Sequence, residues 1–297
     1  MSYKNKKSLI LQVKENLDSK LAIGQSKHAA KRAGTYKEHI YSWGTYKTYL
    51  QQCCTFVKWC KQQAREQGYK QPRNLEQCRE YIPAYMEHIQ QAYSAYTAKL
   101  TLSALCKLYL EYPTGDLRPF GLDPLEKRNR DAITRSRQQE RAGDTHVSIQ
   151  NNADIITFCR CTGLRRAELG QIRGCDLDGN TLTVYRATKG GRVRLVELCG
   201  SPVELETVRK LAAAAGTGKI FPKIHSNLDV HAYRAEYAKR VYTHYARPVD
   251  HIPQQDKYFC RGNMAGTVLD RNAMRIASNN LGHSRIDVIA GHYLYNL

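Results

Sequence analysis

Two arginines in the second half of the sequence could neutralise a phosphate group under attack. Displacing an oxygen from phosphorus builds negative charge on the non-bridging oxygens. A guanidinium can bind those oxygens through paired hydrogen bonds at any physiological pH. Arg165 lies in the segment Thr162-Gly-Leu-Arg-Arg-Ala-Glu-Leu169, and Arg234 ends the segment His231-Ala-Tyr-Arg234. We therefore take Arg165 and Arg234 as candidate phosphate ligands.

Other side chains in this half could supply a nucleophile and the proton transfers. Tyr293 is the candidate nucleophile, with Tyr295 as the alternative. A tyrosine phenol has a pKa of about 10, so attack requires a group that accepts its proton. His231 could accept that proton or hydrogen-bond the phosphate. Lys189 could protonate the departing oxygen, and His283 could donate a hydrogen bond to another phosphate oxygen.

Each of these motifs has an ordinary structural explanation when it is taken alone. Arg165 and Glu168 have the spacing of a common ion pair on a helix surface. A lysine beside glycines at a loop tip is usually exposed and without function. A tyrosine attracts no notice in a chain with 20 of them. We expect Glu168 to support the basic side chains of the site rather than to act on a substrate.

The elements that must position these residues follow from hydrophobic periodicity. Alternating residues predict strands at 181–186 and 193–198, joined by a turn at Lys189-Gly190-Gly191, which together form a β-hairpin. Spacings of three and four predict helices around the hairpin. These helices are expected at 154–161, 165–172, 202–215, 229–245 and 272–279.

The first half of the sequence reads as a small helical bundle. Its helices are predicted from Thr45 to Cys60, from an Asn74 cap through Ile89, and from Tyr96 to Leu108. The predicted domains are a basic arm at 1–35, solvated or partly disordered, a helical domain at 36–115, a linker at 116–145 and a catalytic domain at 146–297.

The charge of the chain indicates a polyanionic partner. Lys and Arg number 46 against 27 acidic residues, a formal net charge of +19. Such a surplus strengthens binding to nucleic acid through counterion release, whatever the base sequence. The basic residues are spread along the chain, which suits a protein that wraps its ligand.

The cysteines and the apolar runs indicate a reducing compartment and argue against a zinc protein and a membrane protein. The ten cysteines are scattered and no secretory signal is recognisable, so we expect free thiols in a reducing cytosol. The sequence has no CxxC pair, which argues against a structural zinc site. No apolar run approaches the roughly 18 residues that a membrane helix needs.

Taken in order, the motifs resemble the signature of the tyrosine recombinases. That signature is T-G-L-R-x-x-E-L, a hairpin lysine, H-x-x-R, L-G-H and a tyrosine close behind it. Here L-G-H is Leu281-Gly-His283. The segment Lys189-Gly-Gly-Arg-Val-Arg-Leu-Val-Glu-Leu198 is similar to the lysine-glycine turn and following strand of that family. The resemblance covers most of the chain from about Thr35, but its motifs are specific only in the second half.

The resemblance implies a mainly α fold with a small β-hairpin or sheet. It implies a helical core-binding (SAM-like) domain that clamps DNA opposite a catalytic domain. The implied activity is site-specific recombination, in which DNA is cleaved and rejoined through a 3′-phosphotyrosyl link with a free 5′-hydroxyl. The implied biological role is integration or excision of a mobile element. The catalytic residues would be Arg165, Lys189, His231, Arg234, His283 and Tyr293.

Cofactors, partners and location follow from the same resemblance. The covalent link conserves the bond energy, so we expect neither a nucleotide nor a metal cofactor. The sequence also has no GxxxxGK[ST] loop and no acidic cluster suited to two metal ions. The expected partners are double-stranded DNA, three further copies in a homo-tetramer on DNA, and accessory DNA-bending proteins. We expect no membrane association, and a cytoplasmic, nucleoid-associated protein.

The sequence departs from the family pattern in three places. The usual spacing after His283 would place the nucleophile at His292, one residue before Tyr293. Arg234 and Leu281 are unusually far apart, and we expect residues 245–268 to form an extra loop or surface subdomain. The chain ends at Leu297, whereas many relatives continue into a segment that docks on a neighbouring protomer.

Two other functions remain open from the sequence. A type IB DNA topoisomerase would use the same residue types to relax supercoils without a specific site. A DNA-binding protein could retain this fold without catalysis, and it would bind DNA without forming a covalent adduct. The helical first half and the L-G-H motif favour a recombinase over a topoisomerase.

Overall fold

The computed structural model describes residues 7–109, 125, 146–189, 191–283, 285–294 and 297. The chain divides into two compact units, Met1–Arg130 and Asp131–Leu297. The linker predicted at 116–145 lies outside the described residues except for Leu125. The predicted domain boundaries therefore stay predictions.

The described part of the first unit is helical. Buried residues of α3 and α6, among them Phe56, Leu102 and Leu105, form the centre of its core. The helices are α1 (Leu9–Asp18), α2 (Lys27–Arg32), α3 (Trp43–Glu66), α4 (Leu75–Arg79), α5 (Ile82–Ala92) and α6 (Ala95–Tyr109).

The helix that we predicted to run from the Asn74 cap through Ile89 is divided into α4 and α5. Asn74 caps α4 as expected, because its side chain accepts a hydrogen bond from the backbone N–H of Gln77. Pro83 lies in the first turn of α5. A proline has no N–H to continue a preceding helix but is accommodated in a first turn. The chain therefore begins a new helix there.

The segment that we expected to be a solvated arm contributes to the core of the first unit. Its α1 buries Leu9, Val13 and Leu17 in the same apolar cluster as α3 and α6. Lys20 is also buried, and its ammonium donates to the carbonyls of Lys107 and Leu108 at 2.7 and 2.8 Å. Residues 9–22 therefore do not form the solvated arm that we expected, whereas residues 23–35 are largely exposed.

The described part of the second unit consists of six α-helices and two small antiparallel sheets. The helix α10 is central, since it packs against both α7 and α11. The helices are α7 (Ala153–Thr162), α8 (Arg166–Leu169), α9 (Pro202–Ala215), α10 (Val230–Tyr245), α11 (Arg271–Asn280) and α12 (Asp287–His292). The strands are β1 (Leu177–Asp178), β2 (Thr181–Val184), β3 (Arg194–Glu197), β4 (Lys257–Phe259) and β5 (Val268–Asp270).

The predicted hairpin is confirmed in the second unit. Strands β2 and β3 are antiparallel, with Leu182 paired to Val196 and both side chains buried. Strand β2 ends at Val184 and β3 begins at Arg194, so both strands are shorter than the sequence pattern suggested. The helix predicted at 165–172 is also shorter, since only Arg166–Leu169 is α-helical.

Residues 245–268 form the second sheet and short 3-10 turns. Strands β4 and β5 pair in antiparallel fashion directly before α11. Arg247 attaches this segment through hydrogen bonds to Asp256 at 2.9 Å and to the buried Asp270 at 2.6 and 2.8 Å. Asp270 also caps α11, because its Oδ1 accepts from the backbone N–H of Asn272. The expected extra loop or subdomain is therefore a β-hairpin attached to the start of α11.

The described residues contain neither a membrane-spanning helix nor a cluster of metal ligands. None of these helices is both long and apolar enough to cross a bilayer. In the same part of the chain, no three His, Cys, Asp or Glu side chains are grouped so that they could hold a metal ion.

Candidate active site

The corner between α7 and α8 positions Arg165. Gly163 ends α7 in the left-handed region, with φ of 58°. A Cβ at this glycine would lie 2.3 Å from Tyr237 of α10, so only glycine fits there. Arg165 is the N-cap residue directly before α8, and its Nη1 donates to Glu168 Oε1 at 2.9 Å. Its side chain is 25% exposed, which leaves the guanidinium accessible to a ligand.

Glu168 is a buried carboxylate that two arginines share. Besides Arg165, it accepts hydrogen bonds from Nη1 and Nη2 of Arg194 at 2.8 and 2.7 Å. The backbone N–H of Arg165 donates to it at 2.8 Å. Burial alone would raise the pKa of Glu168, but the Arg194 and Arg165 contacts outweigh burial and lower it to about 2. The carboxylate is therefore ionised at physiological pH.

Arg234 is buried at the centre of the site, with 1% of its surface exposed. It projects from α10 and donates to the backbone carbonyls of Gly163 and, at 2.5 Å, Leu281. Its Nε donates to the hydroxyl of Tyr293 at 3.3 Å. One guanidinium thus links the end of α7, the turn after α11 and the candidate nucleophile.

His283 and Tyr293 contact each other, although His283 precedes α12 in the sequence and Tyr293 follows it. His283 Nε2 lies 3.3 Å from Tyr293 Oη and 3.3 Å from Arg234 Nη2. Burial, followed by the positive charges of Arg234 and Arg165, lowers the pKa of His283 to about 4. His283 is therefore neutral near pH 7. Tyr293 is almost fully buried, at 2% exposure.

His231 lies at a pocket beside this group. It is in the first turn of α10, which Asp229 caps by accepting from the backbone N–H of Ala232. Its ring centroid is 5.8 Å from that of Tyr293. The pocket has a volume of about 610 Å³. Its lining includes Arg165, Arg166, Asp229, His231 and Arg234.

Lys189 is not buried with this group but is exposed on the loop between β2 and β3. Its charge still contributes to the lowered pKa of His283, after the larger effects of burial, Arg234, Arg165 and His292. The structure therefore brings Arg165, His231, Arg234, His283 and Tyr293 together and leaves Lys189 on the neighbouring loop. Tyr295 lies outside the described residues.

Sequence reasoning missed two arginines that support the site. Arg194 binds Glu168, and Arg166 donates to the backbone carbonyls of His225 and Leu228 in the segment that leads to α10. A signal for Arg194 existed, because it is two residues before the buried Val196 and so faces inward from its strand. An inward-facing arginine requires a buried acceptor. We find no comparable signal for Arg166.

Comparison with known proteins shows the fold. No protein-family model and no curated protein sequence matches the chain. The structure of the XerH site-specific recombinase bound to palindromic difH substrate, a post-cleavage complex, aligns with a TM-score of 0.55 and 13% identity. That alignment covers 99% of this chain and 95% of XerH. A lambda integrase dimer bound to a COC′ core site aligns with a TM-score of 0.51 and 14% identity. That alignment covers 90% of this chain and 75% of the lambda integrase chain. Both are tyrosine recombinases, so the chain has the fold that its motifs predicted.

Proposed function

We propose that this chain is a site-specific DNA recombinase that cleaves and rejoins DNA through a 3′-phosphotyrosyl intermediate. One observation carries the proposal. The hydroxyl of Tyr293 lies 3.3 Å from both Arg234 Nε and His283 Nε2, beside a pocket that Arg165 and His231 line. A nucleophile, a neutral base and fixed positive charge are thus next to a space open to a phosphate.

The first chemical step would exchange one phosphoester bond for another. Tyr293 Oη attacks phosphorus, and the bond between phosphorus and the 5′-oxygen breaks. The phenol proton moves to Nε2 of neutral His283, and the 5′-oxygen takes a proton from Lys189. Rejoining is the reverse reaction with the 5′-hydroxyl of another strand.

The contacts favour His283 over His231 as the group that accepts the phenol proton. The sequence had left His231 open for this role or for a hydrogen bond to the phosphate, and it had suggested His283 for another phosphate oxygen. The hydrogen-bonding distance of His283 Nε2 from Tyr293 supports His283 as the acceptor. His231, on the pocket wall with Arg165, would then hydrogen-bond a non-bridging phosphate oxygen.

Double-stranded DNA is the proposed substrate. The XerH and lambda integrase structures both hold DNA, and this chain carries a net charge of +19. A homo-tetramer on DNA, accessory bending proteins and a role in a mobile element remain predictions from the motif resemblance.

A covalent-adduct assay tests the proposed reaction. Duplexes that bind the Tyr293→Phe protein would be selected from a random-sequence pool, nicked next to candidate cleavage positions and incubated with the unsubstituted chain. We expect a protein–DNA band on a denaturing gel that Tyr293→Phe abolishes and Tyr295→Phe preserves. Loss in Tyr295→Phe alone would keep the reaction and correct the nucleophile.

Two other outcomes would overturn the proposal. If duplexes that the unsubstituted chain binds give no adduct, the chain is a DNA-binding protein with this fold. If the chain relaxes a supercoiled plasmid that lacks any selected sequence, it is a topoisomerase of the type IB class.

A further inference from the structure

Arg194 connects the β2–β3 hairpin to two other segments of the second unit. It is the first residue of β3, and its side chain is only 8% exposed. Its Nη1 and Nη2 donate to the two carboxylate oxygens of Glu168 at 2.8 and 2.7 Å. Its Nε donates to the carbonyl oxygen of Asn280 at 2.9 Å.

Those two segments carry candidate catalytic residues. Glu168 also holds Arg165, whose Nη1 lies 2.9 Å from it. Asn280 ends α11 and leads through Gly282 to His283. A Cβ on Gly282 would lie 2.9 Å from Cδ of Arg194, so the arginine packs directly against this turn.

Arg194 lies at the loop end of the hairpin, where it pairs with Val184 in the pair of β2 and β3 nearest the loop. The rest of the hairpin is held by the pairing of β2 with β1 and by the buried side chains of Leu182, Val184 and Val196. A guanidinium that binds both oxygens of a carboxylate fixes distance and orientation, which a lysine at the same place cannot do. Lys189 lies on the loop of this hairpin and is exposed.

We propose that Arg194 is a positioning residue that holds Lys189 at the departing 5′-oxygen by attaching β3 to Glu168 and Asn280. It would act on proton donation to the leaving group and not on binding of the phosphate. The inference rests on the proposed function, because it concerns one proton transfer of that reaction.

The test compares two leaving groups on the selected nicked duplex. One substrate has the ordinary 5′-oxygen at the scissile phosphate, and the other has sulfur in that bridging position. A thiol has a pKa of about 8.5, far below that of an alcohol, so the sulfur leaves as a thiolate without a proton donor. A defect in proton donation therefore disappears on the sulfur duplex, while a defect in phosphate binding or folding persists.

We expect Arg194→Lys to slow adduct formation on the oxygen duplex on the order of 10²-fold, as loss of a general acid does. On the sulfur duplex its rate should return to near that of the unsubstituted chain. The matched control is Arg240→Lys. Arg240 of α10 binds both oxygens of Glu204 of α9, at 3.0 and 2.9 Å. Its replacement by lysine should leave the rates of adduct formation on both duplexes unchanged.

A double variant tests the same inference independently of stability. On the oxygen duplex, Lys189→Ala with Arg194→Lys should be no slower than Lys189→Ala alone, because both changes remove one proton transfer. The inference would be overturned if Arg194→Lys slowed adduct formation equally on both duplexes, or if the double variant were slower than Lys189→Ala alone. Either outcome would leave the proposed function standing. No adduct from the unsubstituted chain on either duplex would overturn the proposed function and the inference with it.

Discussion

Arg234 and Glu168 are opposite charges that are both buried beneath the candidate site, and they are stabilised differently. Glu168 binds two arginines, whereas Arg234 donates mainly to backbone carbonyls. Buried charges require such partners. The partners of Arg234 carry no full charge, so its positive charge stays available to an anion. Arg194 offsets the charge of Glu168, so Arg165 and Arg234 leave the pocket positive, as a phosphate requires.

Gly282 of the L-G-H motif is a position where replacement by a residue with a side chain should affect stability. It has φ of 65°, and a Cβ would meet Arg194, which its hydrogen bonds hold in place. We expect Gly282→Ala to lower the free energy of unfolding by at least about 2 kcal/mol, from backbone strain and crowding together. Urea unfolding followed by circular dichroism measures this change.

Gly262 provides the matched control for that substitution. It has the same φ of 65°, but a Cβ there would meet nothing within 4 Å. Gly262→Ala should therefore cost only the backbone strain, about 1 kcal/mol. Equal losses in the two variants would mean that Arg194 moves aside freely and does not hold the turn.

The lowered pKa of His283 predicts how the reaction depends on pH. With a pKa of about 4, His283 stays neutral as the pH falls through 6.5, where an ordinary histidine becomes protonated. If neutral His283 accepts the phenol proton, adduct formation should retain most of its rate from about pH 8 down to about pH 5 and fall below that. Initial rates across this range, with circular dichroism confirming the fold at each pH, measure the dependence. If the rate of adduct formation fell by half near pH 6.5, the group that accepts the proton would instead be a histidine of ordinary pKa.

At the scale of elements, α1 shows how a weakly patterned, basic segment can still be part of a core. Leu9, Val13 and Leu17 recur at spacings of four and are buried, while Leu11 on the opposite face is 41% exposed. The helix is only ten residues long and would be marginal in isolation. Its packing against α3 and α6, rather than its own sequence, therefore stabilises it.

Truncation of a buried α1 residue tests this placement. We expect Leu17→Ala to lower the free energy of unfolding of the first unit by about 2–5 kcal/mol, since it leaves a cavity in a closed core. Leu11→Ala, the matched control on the exposed face, should change it by less than about 0.5 kcal/mol. Urea denaturation of the full chain measures both. Similar, small effects of the two substitutions would mean that α1 does not contribute to the core in solution.

At the scale of the whole molecule, the net charge of +19 would govern binding of DNA, the proposed substrate. Charge of this kind acts over a large surface and does not read base sequence. It therefore supports binding to DNA in general, and recognition of a specific site must come from contacts that charge alone does not provide.

Salt dependence tests the role of that charge. If the chain contacts six to ten phosphates, its affinity for a duplex should fall on the order of 10³- to 10⁵-fold between about 50 and about 200 mM salt. Fluorescence anisotropy with a labelled duplex measures this slope. The Tyr293→Phe variant should show the same slope, because it retains every basic residue. An affinity that hardly changes with salt would contradict an electrostatic mode of binding.

The sequence by itself determined the features that depend on neighbours along the chain. The hairpin around Lys189, the cap at Asn74 and the helical setting of Arg234 follow from alternation, spacing and turn residues. These signals are local, so no tertiary information was needed. The ordered motifs from Thr162 to Tyr293 likewise predicted the fold, which the likeness to solved recombinase structures confirmed.

Only the tertiary structure decided which distant residues meet. It placed His283 rather than His231 at hydrogen-bonding distance from Tyr293, and it paired Glu168 with Arg194. It also buried α1, whose pattern alone was compatible with a solvated arm. The physical reason is the same in each case. Contacts between segments far apart in sequence depend on how helices and sheets pack, and periodicity shows which face is apolar but not which partner will cover it.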